Sequence, residues 1–278
     1  MPTRQMQLVA VVATLALATC GARAAGANVD AFPVEPPNER LHLPNRLPKH
    51  HVTVPILMYH RINVSDPAEP AVSRRLTVHP DDFARQMAWL KRRGYRTVTQ
   101  RELFAALFRG RPLGPRPVLI TFDDGYRDVF FKASPVLSRH GFRATAYVIS
   151  GRISAGDSSF LTWPMLHALE RRGIEVGSHT VLHRDLTRLG TAEAMAELVE
   201  SRRRLERELG HPVQWLAYPF GRCNARVEAL ARRAGYVLAT TTEPGVRQSA
   251  SGPLALRRLR VLDSTGVRGL EQLLAQTA

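Results

Sequence analysis

From Val54 onward two kinds of segment alternate along the chain. Residues 54–60 and 117–122 are apolar at nearly every position. Runs of that length without alternation read as strands covered on both faces. Further β-rich runs at 95–99, 144–150, 174–178, 215–218, 236–241 and 256–261 complete the set. Between them lie segments with one apolar helical face. Residues 81–93 carry Phe83, Met87 and Leu90 on one side and stop at Gly94, and 102–109 stop at Gly110. A helix near 129–139 follows, then one capped by Thr162 with Pro164 in its first turn and closed by Gly173. The pattern predicts further helices over 191–209 and 225–234, and a last one ending near Ala275. Strand–helix alternation at this spacing implies parallel strands joined by crossover helices. Seven or eight such units within residues 54–278 fit a (β/α) barrel better than an open sheet. In either architecture chemistry collects where strands end at their C-terminal edge.

Composition narrows the class. Of 278 residues, 44% are hydrophobic and 23% charged, which suits a folded domain and is too apolar for a disordered chain. The two cysteines, Cys20 and Cys223, exclude a disulfide framework and sites built on four cysteines. The net charge of +15 is almost entirely arginine, since Lys49, Lys91 and Lys132 are the only lysines. Those arginines are spread over helix faces (Arg92-Arg93, Arg171-Arg172, Arg202 to Arg204, Arg232-Arg233) instead of forming one basic run interleaved with aromatics. They read as solvated faces, and nucleic acid is not an expected partner.

The N-terminus carries Arg4 and no acid before an apolar stretch at 8–19, whose 12 residues suit a secretory core and cannot span a bilayer. Ala22-Arg23-Ala24 matches an A-x-A cleavage pattern, predicting a signal peptide over 1–24. A rival reading takes 17–21 as a lipobox with Cys20 as the lipidated residue, which would be the one route to a membrane. Export to the periplasm or envelope follows either way. Residues 25–51, rich in Pro and Asn without periodicity, read as a linker or extended lead-in. The folded domain is expected over 52–278.

Three strand ends carry chemistry. Asp123 and Asp124 follow the apolar run 118–122 and precede Gly125. An Asp-Gly turn accounts for one of them, but two carboxylates closing a buried strand need a neutralising cation. His179 and His183 lie just past the next-but-one strand, and a pair four residues apart converges on one metal if the segment makes a helical turn. In a chain with ten histidines the pair alone is weak. With the Asp pair it becomes an Asp-plus-two-His set that leaves room for water, the layout of a catalytic divalent site. Tyr218-Pro219-Phe220-Gly221 stands at a third strand end, where an aromatic-Pro-Gly turn is the plain reading.

The order Thr121-Phe122-Asp123-Asp124-Gly125, then Ser178-His179-x-x-x-His183, then Tyr218-Pro219-Phe220-Gly221 resembles the polysaccharide deacetylases, the NodB-homology enzymes of carbohydrate esterase family 4. The opening at 55–61, Pro-Ile-Leu-Met-Tyr-His-Arg, resembles the subgroup that includes exported poly-N-acetylglucosamine deacetylases. The resemblance covers about Val54 to Leu274. It implies a distorted (β/α)7 barrel that removes N-acetyl groups from an N-acetylglucosamine-containing polysaccharide of the envelope or matrix. It implies a divalent metal on Asp124, His179 and His183, zinc first, with cobalt, nickel or iron as alternatives. Asp123 would be the general base and His60 the general acid, and Phe220 and Tyr218 would face the substrate, with the Phe220 backbone N–H donating to the developing oxyanion.

The chain also departs from that pattern. Many relatives have an arginine two residues before the third-motif proline to pair with the base, and here that position is Ala217. Arg258 or Arg260 is available to replace it. Two late motifs common among relatives are missing, which keeps a catalytically silent carbohydrate-binding module as the alternative.

Overall fold

The computed structural model describes residues 39–275. The leader expectation, with Cys20, and the lead-in up to residue 38 lie outside the described residues. Seven parallel strands form the frame: β1 (Ile56–Tyr59), β2 (Pro117–Phe122), β3 (Ala144–Val148), β4 (Ile174–Ser178), β5 (Trp215–Ala217), β6 (Leu238–Thr240) and β7 (Leu259–Arg260). Their order is β6-β5-β4-β3-β2-β1-β7, so each strand lies beside its sequence neighbour except β7, which returns to pair with β1. Just before β7, Leu256 bridges Thr240 of β6 in parallel, and its N–H donates to the Ala239 carbonyl. That contact joins the two edges and closes the curled sheet into a distorted seven-stranded barrel, as the sequence resemblance implies.

Helices α1 (Pro80–Arg92), α2 (Gln100–Phe108), α3 (Ser134–His140), α4 (Trp163–Arg171), α5 (Thr191–Leu209), α6 (Ala225–Arg233) and α7 (Gly266–Ala275) surround it. Their starts follow from local chemistry. Thr99 and Glu102 form a reciprocal capping box on α2, and the Asn224 side chain accepts from the Val227 N–H at the start of α6. Thr162 precedes α4 as predicted, but its side chain makes no capping bond. Pro164 in the first turn removes one of the N–H groups that such a cap would serve.

The pleat divides the strand residues between two cores. Leu57, Tyr59, Ile120, Phe122, Ala146 and Val176 face surrounding helices, whereas Ile56, Leu119, Tyr147, Trp215 and Ala217 share the second cluster with Leu103, Phe104 and Leu107 of α2. Thus α2 packs its apolar face against residues from inside the barrel and plugs one end. Residues 39–50, without helix or strand, cross that end. Leu41 is buried there, its N–H donating to Gln214 Oε1 at 2.7 Å and its carbonyl accepting from Gln214 Nε2 at 2.8 Å. With one end plugged, the other end holds the strand C-termini and the residues singled out above. No helix among the described residues is long and apolar enough to cross a membrane.

Candidate functional site

Asp123 and Asp124 leave β2 in opposite directions. Asp123 keeps the strand's course, its N–H donating to the Tyr59 carbonyl at 2.9 Å, and its side chain shares a face with Thr121, two residues earlier. Asp124 then takes a left-handed backbone conformation, φ 72°, which swings its carboxylate away from its neighbour. Gly125 follows at φ 79°, where a Cβ would press on Val148 at 3.1 Å. Two adjacent carboxylates are thereby given separate surroundings.

Arg258 meets Asp123. Its guanidinium is fully buried and donates Nη1 to Oδ1 and Nη2 to Oδ2, each at 2.7 Å. The same group donates to the Thr241 carbonyl at 2.8 Å and to Thr121 Oγ1 at 3.2 Å. Burial opposes the Asp123 charge, but the guanidinium outweighs it and holds the carboxyl well below the usual carboxylate range. Of the two arginines left open by the sequence, Arg258 is the one that reaches Asp123, and Arg260 is exposed. Ala217 offers its backbone carbonyl to His179.

Asp124, His179 and His183 converge. Their candidate donor atoms all lie within 4.8 Å of one another, with Asp124 Oδ1 at 3.4 Å from His179 Nε2 and 3.6 Å from His183 Nε2. The Ala217 carbonyl can only accept, so the 2.7 Å bond to His179 Nδ1 requires the proton on Nδ1. His179 Nε2 is therefore the ring nitrogen that faces the carboxylate. Burial and the neighbouring His179 pull the His183 pKa down to about 4 despite Asp124. Two ring nitrogens and a carboxylate oxygen converging across a small gap suit a positive centre between them. The His179 pKa is raised for the same reason: burial resists its charge, and Asp124 and Asp123 more than offset that. A divalent cation fits this donor set, and the Nδ1 hydrogen bond that fixes the His179 ring is what a metal-binding histidine needs.

The His179–His183 segment is not the helical turn expected from its spacing. It is an irregular bend with Thr180 and His183 both left-handed, φ 66° and 58°. Glu197 of α5 holds it, one carboxylate oxygen accepting from the Val181 and Leu182 N–H groups at 2.9 Å each. These two bonds do what helical hydrogen bonding would have done, and they bring the two rings to 4.7 Å between centroids. Glu197 went unremarked in the sequence, although an acid beside Ala194, Leu198 and Ser201 on the buried face of α5 is itself a signal.

The third motif ends in a turn, with Gly221 at φ 70° against Thr242, where any side chain would collide. Phe220 is left-handed at φ 59°, exposed, and its ring lies 4.6 Å from that of His183. Its N–H donates to no acceptor among the described residues. The expectation that Tyr218 also faces a substrate is corrected. Its side chain is fully buried among Leu216, Val227 and Tyr236, because strand alternation sends it outward from the barrel interior to the helices. His60 closes β1, and its Nδ1 is buried with no hydrogen-bond partner among the described residues. Burial lowers its pKa, with Asp123 and Asp124 pulling the other way.

Of six non-glycine residues with positive φ among the described residues, Asp124, Thr180, His183 and Phe220 belong to this one site. Each such conformation costs roughly 1–3 kcal/mol, so the strain of the backbone is concentrated where the donors converge.

Polar donors of this kind at the C-terminal end of a parallel barrel are the layout of an enzyme site, and comparison with known proteins gives the family. Residues 110–239 match the family model described as polysaccharide deacetylase. A Bacillus subtilis chain named as a polysaccharide deacetylase, YxkH, is 34% identical over 216 residues, covering 78% of this chain and 73% of that one. The solved structure of the Streptococcus pyogenes deacetylase PplD in complex with acetate superposes with a TM-score of 0.75 at 32% identity, covering 81% of this chain and 99% of that one. The chain belongs to the polysaccharide deacetylase family. The poly-beta-1,6-N-acetyl-D-glucosamine N-deacetylase of Escherichia coli K12 is 29% identical over 159 residues, 52% of this chain but only 23% of that longer protein.

Proposed function

We propose that this deacetylase is metal-dependent and acts on the N-acetyl groups of an N-acetylglucosamine-containing polysaccharide of the cell envelope or extracellular matrix. The observation that carries this is the convergence of Asp124 Oδ1, His179 Nε2 and His183 Nε2 within 4.8 Å, with the Nδ1 bond to the Ala217 carbonyl turning His179 Nε2 toward the carboxylate. Asp124, His179 and His183 would hold the ion, zinc being the ion best suited to a nitrogen and oxygen set of three with room for water. When bound, it supplies Lewis-acid charge at the acetamide oxygen and at the attacking water.

The remaining roles fall to side chains and backbone. Asp123 takes a proton from the attacking water as the water oxygen bonds to the carbonyl carbon. Arg258 keeps that carboxylate ionised and aimed, and each oxygen retains a lone pair after pairing with the guanidinium. The Phe220 N–H donates to the oxygen on which charge develops. His60 delivers a proton to the leaving nitrogen, the C–N bond breaks, and acetate and a free amine result. The exposed Phe220 and Leu182 side chains flank the His183 side of the opening and offer an apolar rim to a sugar chain. The name of the E. coli relative supports the substrate class. The intact donor set and the strain spent on it argue against a silent binding module.

The test is acetate release by the purified chain from poly-β-1,6-N-acetylglucosamine, chitin oligomers, peptidoglycan glycan and acetylated xylan, before and after exhaustive chelation. Release from the N-acetylglucosamine polymers that chelation abolishes and added zinc restores supports the reading. Full activity after chelation, or cleavage confined to the O-acetylated xylan, overturns it.

A further inference from the structure

Arg258 is the largest fully buried side chain among the described residues, 1% exposed, and Asp123 is its one carboxylate partner within 4.0 Å there. A guanidinium taken out of water needs acceptors for its N–H groups and, around its charge, a surface that tolerates a cation. The N–H groups are served by the Thr241 carbonyl, Thr121 Oγ1 and the two Asp123 oxygens. The charge meets an aromatic ring. The guanidinium carbon lies over Tyr147, 5.9 Å from the ring centroid.

Tyr147 is itself held firmly. It stands on β3 with its side chain in the core cluster of the barrel interior, fully buried, and in the strand register it lies opposite Gly177 of β4. A Cβ at Gly177 would meet ring atoms of Tyr147 at 2.5 and 2.7 Å, so the missing side chain makes the space that the ring fills. The phenol oxygen accepts from Gln100 Nε2 at 2.5 Å. Gln100 is the first residue of the α2 plug, and its own N–H donates to the Glu175 carboxylate of β4 at 2.7 Å. A buried column of Gln100, Tyr147, Arg258 and Asp123 therefore runs from the plug to the catalytic end.

A cation over an aromatic face is attracted most strongly where water is excluded. An aliphatic side chain at 147 would fill space but give Arg258 no such attraction.

We propose that Tyr147 is a positioning residue for the deacetylation: its ring, seated against Gly177 and pinned through its hydroxyl to the plug helix, holds the Arg258 guanidinium where it aims Asp123 at the attacking water. This rests on the reading of Asp123 as the base. Tyr147 touches no reacting atom and acts through Arg258.

Acetate release by the zinc-loaded full chain tests it. Tyr147→Leu should lower kcat about tenfold, the order of a desolvated cation–ring contact, with KM and metal content unchanged. Tyr147→Phe, which keeps the ring, should recover most of that loss. Trifluorophenylalanine at position 147 keeps the shape of Phe but weakens the negative face of its ring, and should lower kcat again. In an Arg258→Met background Tyr147→Leu and Tyr147→Phe should turn over equally, because no cation is left to hold. Apart from activity, urea unfolding should show the losses from Tyr147→Leu and Arg258→Met to be less than additive. Near-normal turnover in Asp123→Asn removes the base and this proposal with it. Tyr147→Leu at the wild-type rate beside an inactive Asp123→Asn overturns this proposal alone. So does a kcat loss in Tyr147→Leu that is as large without Arg258 as with it, or strictly additive stabilities. Should Tyr147→Leu fail to fold, a trifluorinated ring that works as well as Phe overturns it too.

Discussion

Removing Arg258 tests whether Asp123 depends on its buried partner. In Arg258→Met the side chain keeps much of its volume, but the Asp123 carboxylate loses two hydrogen bonds of 2.7 Å in a place where it is 2% exposed. Breaking a buried pair by deleting one partner costs about 3–5 kcal/mol, because the other charge is left uncompensated. The lost bonds to the Thr241 carbonyl and Thr121 Oγ1 add roughly 0.5–1.5 kcal/mol each. Against a total stability of about 5–15 kcal/mol, that is a large loss. The double variant Arg258→Met/Asp123→Asn removes the stranded charge and should recover about half of it. Urea unfolding with an unchanged m-value measures both. Arg258→Lys keeps a charge but not the planar fork, so it should fall between wild type and Met in stability and in acetate release. A loss below about 1 kcal/mol in Arg258→Met, or a double variant no more stable than the single, would falsify the account of Asp123 as a charge held ionised by Arg258.

Four further outcomes follow from the same geometry. Asp123→Asn should lower turnover by about 10²–10⁴ while one metal per chain remains by elemental analysis, and metal loss would make Asp123 a ligand. His179→Ala should lose both metal and acetate release while circular dichroism stays that of the wild type, whereas stoichiometric metal in this variant would refute the proposed ligand set. His60→Gln should lose most activity with metal content unchanged, and a near-normal rate would move the proton donor elsewhere. Glu175, raised to about 7 from an ordinary 4.5, favours the fold most below the ordinary value and loses that contribution as pH rises through 7. The difference is worth about 3 kcal/mol, so unfolding between pH 4.5 and 7.5 should show a downward stability slope in the wild type that Glu175→Gln flattens; equal slopes would contradict it.

Strand and helix positions were legible because each element has its own hydrophobic period and its own stop. The run 117–122 is apolar throughout and was placed to the residue as β2, and α5 was placed just as closely between Gly190 and the left-handed Gly210. The closing of the barrel was less legible, since it rests on the short stretch 253–256 meeting β6, with Leu256 bridging Thr240, while Leu259 and Arg260 pair with β1. No local pattern announces a strand that changes partner within four residues.

The site divides in the same way. Asp123, Asp124, His179 and His183 could be found because strand ends and residue types suffice to suggest them. What brings them together could not be read from spacing, since it lies in backbone that side-chain pattern does not encode. Two histidines four apart suggest one helical turn, yet two left-handed residues and the Glu197 carboxylate produce the convergence. Tyr218 and Phe220 look equivalent as neighbours of a proline, but the pleat buries one in the outer core and the turn exposes the other. Arg258 lies 135 residues from Asp123, and the sequence narrowed the partner to Arg258 or Arg260 without choosing between them. Each of these features costs free energy in isolation: strained φ, a carboxylate drawn into the interior, a guanidinium without solvent. They persist because the groups satisfy one another, so the parts of this site hardest to read one residue at a time are those held in place by partners distant in the chain.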